Sequence, residues 1–161
     1  MKAAFKMPVK RISKSQFLKI MALITCLIGS FGTSLSAHQG ATGIVKERMD
    51  EFSKARGQMK QMQRALQNDQ FETIADISAD MQNWAQNMVN SFPEGSNISP
   101  SEASIAIWRD KAGFANAAAF YNDSLIKLNE AALTYDREAV ITAYQAVGQA
   151  CKSCHKNYRQ R

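Results

Sequence analysis

The stretch Val140-Ile-Thr-Ala-Tyr-Gln-Ala-Val-Gly-Gln-Ala-Cys-Lys-Ser-Cys-His-Lys-Asn-Tyr158 closes a 161-residue chain and decides how the rest of it is read. Val140, Tyr144, Val147, Cys151, Cys154 and Tyr158 fall alternately four and three residues apart, which places them on one face of an α-helix. Two cysteines thus continue an apolar stripe, and whatever they bind should sit inside a helical core.

Upstream stretches supply that core. Arg48, Phe52, Ala55, Met59, Met62 and Leu66 keep the same alternation and predict a first helix from Thr42 to Leu66. Asn68-Asp69 punctuates, with Asp69 and Glu72 as an N-cap pattern for a second helix that ends near Phe92-Pro93. Its apolar positions are Phe71, Ile74, Ile77, Met81, Trp84 and Met88. After the loop Pro93–Pro100, Ser99-Pro100-Ser101-Glu102 offers a capping serine, a proline at the first helical position and a glutamate two positions further on. It predicts a third helix from Pro100 to Leu133, with Ile105, Trp108, Ala112, Phe114, Ala118, Tyr121, Leu125 and Leu128 as core. Tyr135-Asp136 opens the fourth. No strand alternation or repeat is present, so the expected fold is all-α, an antiparallel up-down-up-down four-helix bundle.

Within the last helix, Cys151-Lys152-Ser153-Cys154-His155 is C-x-x-C-H, the attachment pattern for c-type haem. The two thiols share a face and can each form a thioether with one porphyrin, while His155 can reach the iron from the same side. A thioredoxin-like pair would need a strand-rich fold. A zinc site would need a second ligand pair, and His38 is the only other histidine. A disulfide is poorly shaped within a helix.

The formal charge of +6 is misleading. Lys2, Lys6, Lys10, Arg11, Lys14 and Lys19 carry six of the 20 cationic residues, and from His38 onward 14 Lys and Arg face 14 Asp and Glu. Nucleic acid is therefore not implied. Those early cations, the apolar run Ile20–Phe31 and the small residues Thr33–Ala37 read as a secretory signal over residues 1–37, cleaved after Ser36 or Ala37. The run is shorter than the roughly 20 residues that span a bilayer, so no stable membrane insertion is expected, with an uncleaved anchor as the alternative. Cys26 would leave with the signal. Residues 38–161 are then one periplasmic domain whose only cysteines lie in the haem motif.

Arg48 interrupts an apolar seam, where an unpaired guanidinium would cost several kcal/mol. It can snorkel to water from the helix end, or fork onto a haem propionate. Trp84, Trp108, Phe114, Phe120, Tyr121 and Tyr144 suit a haem bundle, but helical spacing explains most of them as core. Trp84 can also meet a porphyrin edge.

The leader, the bundle and the C-terminal motif followed by basic residues together resemble the class II c-type cytochromes, the cytochrome c prime group. The resemblance rests on Cys151–Arg159 and on Val45–Lys60. It implies one covalently bound haem c, His155 as proximal iron ligand, and one-electron exchange with redox partner proteins rather than enzymatic turnover. It places Arg48 near the haem and Arg159 beside the proximal face; Arg159 is equally well explained as a solvated cation at a helix C-terminus. Members with methionine at the position of Phe52 tend to be six-coordinate. Phe52 cannot ligate iron, which implies five-coordinate, high-spin iron open to NO or CO, though Phe52 is also explained by packing alone. The alternative is a low-spin carrier ligated by Met49, Met59 or Met62. A gas-sequestering or sensing role and a weak peroxidase are further readings, the last lacking a distal histidine. The family often forms dimers through its first two helices, and the near-neutral surface permits this.

Overall fold

A computed structural model describes residues 40–160. The segment expected to be a secretory signal, residues 1–37, lies outside the described residues, as do Cys26 and His38. Four long helices form the bundle: α1 Gly43–Gln67, α2 Phe71–Ala85, α3 Lys111–Leu133 and α4 Arg137–Tyr158. Among the described residues there is no strand, and no helix is long and apolar enough to cross a membrane.

Helix α3 lies against α2 and α4 along much of its length, whereas α1 touches α4 sparsely. Met62, Ile74, Leu125, Leu128, Val140 and Val147 are essentially inaccessible and make the closed part of the core. That part lies toward the tight α1–α2 and α3–α4 connections. Tyr144 bridges the slack seam, its hydroxyl donating to the Met59 carbonyl at 3.1 Å. Gln58 and Lys54 of α1 hold Asp80 of α2 at 2.6 and 2.8 Å. Further along, where α1 starts and α4 ends, the bundle opens.

Three expected boundaries are corrected. The third helix does not begin at Pro100: the Ser99–Pro100 peptide is cis, and one helical turn, Ala106–Arg109, precedes a break at Asp110. Residues 102–104 instead run alongside the end of α4. Ala103 and Arg159 form an antiparallel bridge, Ser104 N–H donates to the Tyr158 carbonyl at 2.9 Å, and Gln160 N–H donates to the Glu102 carbonyl at 2.8 Å. This pairing satisfies the backbone groups that a helix there would have satisfied internally. The cap is Asp110, which accepts from Gly113 N–H at 3.0 Å. Ile105 and Ala112 are accordingly exposed, and Trp108 is only half-buried, its indole donating to the Phe92 and Pro93 carbonyls.

The second helix stops at Ala85, and Met88–Ser91 follows as a 3-10 turn. Asp69 does not cap it. With φ of 52° Asp69 is left-handed, ending α1, and its carboxylate pairs with Arg137. The fourth helix starts as expected, with Asp136 accepting from the N–H groups of Glu138 and Ala139. Phe120 is 51% exposed and takes no part in the core.

Candidate functional site

The open end of the bundle encloses a cavity of about 480 Å³, within the range of small-molecule and cofactor sites. Helix α4 supplies Cys151, Cys154, His155 and Tyr158 to it, and α1 supplies Arg48, Met49, Phe52, Arg56 and Met59. Met81, Met88, Phe92, Phe114 and Tyr121 complete a largely apolar wall. The half-burial of Phe52, Ala55 and Met59 is explained here: their stripe faces this space rather than α4.

Both cysteines are free and half-buried. Burial pushes the Cys151 thiol up, and burial followed by the nearness of Cys151 pushes Cys154 up to about 11, so both keep their hydrogen at neutral pH. Desolvation, then the charges of Arg159 and Arg56, hold His155 below its ordinary range, with Glu102 opposing them. Among the described residues no cluster of three or more His, Cys, Asp or Glu side chains could hold a metal ion by itself. Two protonated thiols and an imidazole on one wall of an apolar cavity therefore fit a tetrapyrrole that brings its own metal. Because the lining is mostly apolar, a group filling this space would remove much apolar surface from water. A resident group there would be part of the core.

Arg48 does not snorkel. It is 2% exposed. Its Nη1 donates to the Ser91 carbonyl at 3.1 Å and to Ser96 Oγ at 2.6 Å, and its Nη2 to the Ser96 carbonyl and to Ser101 Oγ at 2.7 Å. Four of the five guanidinium donors are thus committed to loop acceptors. The Phe92 ring lies 4.6 Å from its central carbon. Arg159 is exposed, and its Nε donates to Glu102 Oε2 at 2.7 Å. Phe52 lines the cavity, its ring edge-to-face with Trp84 at 4.9 Å and tilted to Phe92 at 6.3 Å. Trp84 itself backs Phe52 and is not in the wall. Of the methionines considered as ligands, Met49 and Met59 line the cavity, whereas Met62 is buried in the closed core. Met81 and Met88 reach the wall too; their helical spacing read only as core.

This arrangement coincides with a known pattern. A sequence model described as cytochrome c' matches residues 43–159. The chain belongs to the cytochrome c' family. A cytochrome c' of Rhodospirillum rubrum is 28% identical over 145 residues, covering 88% of this chain and 99% of that one. Its fold is similar to that of the Rubrivivax gelatinosus cytochrome c', with a TM-score of 0.65 at 24% identity over 73% of this chain and 94% of that one. It is equally similar, with the same score, identity and coverage, to a nitric oxide complex of a cytochrome c' variant from Alcaligenes xylosoxidans. Family membership makes this a haem protein with a c-type haem.

The cytochrome c' motif helix is anchored at its end by a contact not read from the sequence. Tyr158 Oη donates to Asp110 Oδ2 at 2.7 Å, so the cap of α3 also holds the last turn of α4. A Cβ at Gly113 would press on the side-chain ends of Asp110 and Tyr158, the two partners of this bond. The bond to Asp110, then burial, pushes Tyr158 up to about 12, and holds the Asp110 carboxyl below its usual range. A raised folded value means that this stability is fully present below the ordinary tyrosine pKa near 10 and is lost as pH rises toward about 12. Tyr158→Phe is expected to lower Tm by roughly 4 °C at pH 8, with the difference from wild type vanishing by pH 12. A difference unchanged across that window would exclude the Asp110 bond as its source.

Proposed function

We propose that this cytochrome c' is an exported, periplasmic electron carrier in which Cys151 and Cys154 hold the haem through thioethers and His155 is the single protein ligand. The observation carrying this reading is the convergence of both thiols and the imidazole on one wall of the cavity, with Phe52 on another. The haem, when bound, supplies a one-electron ferric–ferrous couple and an axial site for a neutral gas. The chain's own residues do the rest. His155 would supply the protein's ligand to the iron, Phe52 and Phe92 would line the space around the group with apolar surface, and Trp84 packs edge-to-face on Phe52. In this reading the protein passes electrons to redox partner proteins. NO and CO are the small ligands that such an apolar face would admit.

Met49 and Met59, joined by Met81 and Met88, favour a second reading, a low-spin methionine-ligated carrier. The absorption spectrum of the reduced protein with and without CO separates the two. A high-spin spectrum that changes on adding CO is expected. Phe52→Met should convert it to a low-spin form that responds weakly to CO and has a higher reduction potential. A wild-type spectrum already low-spin and indifferent to CO would overturn the open-site reading.

A further inference from the structure

Three guanidiniums stand at the cavity, and the structure distributes their work unequally. Arg48 is buried with both terminal nitrogens committed to Ser91, Ser96 and Ser101. Arg159 is paired with Glu102, and its backbone is part of the bridge to Ala103. Arg56 lies two turns beyond Arg48 on α1, lines the same cavity and is exposed. It has no hydrogen-bond or ion-pair partner among the described residues.

A haem brings two carboxylates on one edge. Among the described residues Glu102 is the one carboxylate of the wall, and it is already paired, so the ligand's own carboxylates are the available partners of the unneutralised cation. We propose that Arg56, and not Arg48, is the side chain that receives a haem propionate at the mouth of the site. This rests on the haem reading above. An exposed lysine would supply only a point charge, whereas the planar guanidinium offers a carboxylate two parallel N–H donors. Arg48 then acts as a positioning residue, holding the loop that carries Phe92. The charged and titratable groups sharing this mouth are Arg48 and Arg56 of α1, Glu102 of the 102–104 segment, and His155, Tyr158 and Arg159 at the end of α4.

The test uses the purified holo-protein and follows the midpoint reduction potential against pH for wild type, Arg56→Gln, Arg56→Lys and Arg48→Gln. In wild type a propionate whose ionisation is linked to iron oxidation gives an inflection. Losing an adjacent cation should move that inflection upward by about one pH unit in Arg56→Gln and lower the potential on its alkaline side. Arg56→Lys should recover most of both shifts, and Arg48→Gln should lower Tm without moving the inflection. An unmoved inflection in Arg56→Gln, or the shift appearing in Arg48→Gln instead, would overturn the assignment. Haem-free wild-type protein on a stained denaturing gel would overturn the haem reading itself and the proposal with it, an outcome distinct from a haem-loaded protein that ignores Arg56.

Discussion

Arg48→Met is expected to destabilise the domain by about 3–5 kcal/mol, with a fall in Tm of about 10 °C or more, while leaving the helical content unchanged. Methionine keeps most of the apolar stem and removes every donor. The carbonyls of Ser91 and Ser96 and the hydroxyls of Ser96 and Ser101 then lose their common partner, in a place where Ser96 is 7% exposed. Leaving such groups unpaired costs more than the net worth of any one bond. Ser96→Ala provides the calibration, because it removes one side-chain acceptor and should cost roughly 1 kcal/mol. Thermal unfolding of both variants decides the matter. An Arg48→Met loss no larger than that of Ser96→Ala would show that the guanidinium does not hold the loop. The loop's consequence for the site runs through Phe92, which lies against Arg48 on one side and edge-to-face with Phe114 at 4.9 Å on the other. Loosening it should also widen the apolar wall, seen as faster CO binding to the reduced protein.

How far the sequence predicted this site depends on the range over which each feature is determined. The stripe from Val140 to Tyr158 is local, set by helical periodicity alone, and the structure reproduces it, with Asp136 capping as its position implied. The seam from Arg48 to Leu66 was equally legible, whereas Phe52 facing an open site came only from the family resemblance, and the structure puts Phe52 in the cavity wall. Ser99-Pro100-Ser101-Glu102 failed for a different reason. Its capping pattern is a local preference worth about 1 kcal/mol, and it competes with a bridge to Arg159 formed by residues far apart in sequence. Pairing across the fold supplies more hydrogen bonds than the cap could, and no short-range pattern announces it. The Asp110-Lys-Ala-Gly113 run ahead of an apolar stripe was the available signal for the true start of α3.

Arg48 shows the same limit from the other direction. Its position in an apolar seam correctly demanded a partner, and the demand was physical: a guanidinium 2% exposed must be satisfied. Which partner satisfies it depends on where the chain from Ser91 to Ser101 folds back, and its acceptors proved to be Ser91 and Ser101, read as helical, and Ser96, read as loop. Met81 and Met88 were missed as wall residues because helical spacing identifies the buried face without saying whether another helix or a ligand covers it. Sparse contact between α1 and α4 decides that, and it is a property of the assembled bundle.

The double variant Cys151→Ser/Cys154→Ser is expected to lose covalent haem completely, whereas each single variant should retain it through the remaining thioether. Both thiols face one cavity and neither is engaged in a disulfide, so the two attachments are chemically independent. His155 is untouched in these variants, and non-covalent haem could still be held by the imidazole and the apolar wall in native conditions. Denaturation removes that contribution, which is why the readout is a haem-stained band on a denaturing gel rather than the colour of the native protein. The comparison also separates two roles of the group. If the haem fills the core as a cavity of about 480 Å³ implies, the haem-free double variant should unfold several kcal/mol more easily than wild type. Adding free haemin should recover part of that loss without restoring the band. A double variant that still ran as a stained band would place the covalent link elsewhere and remove Cys151 and Cys154 from the site. A haem-free variant as stable as wild type would show that the cavity's walls close on themselves, leaving the thiols' chemistry intact but the haem no longer part of the fold.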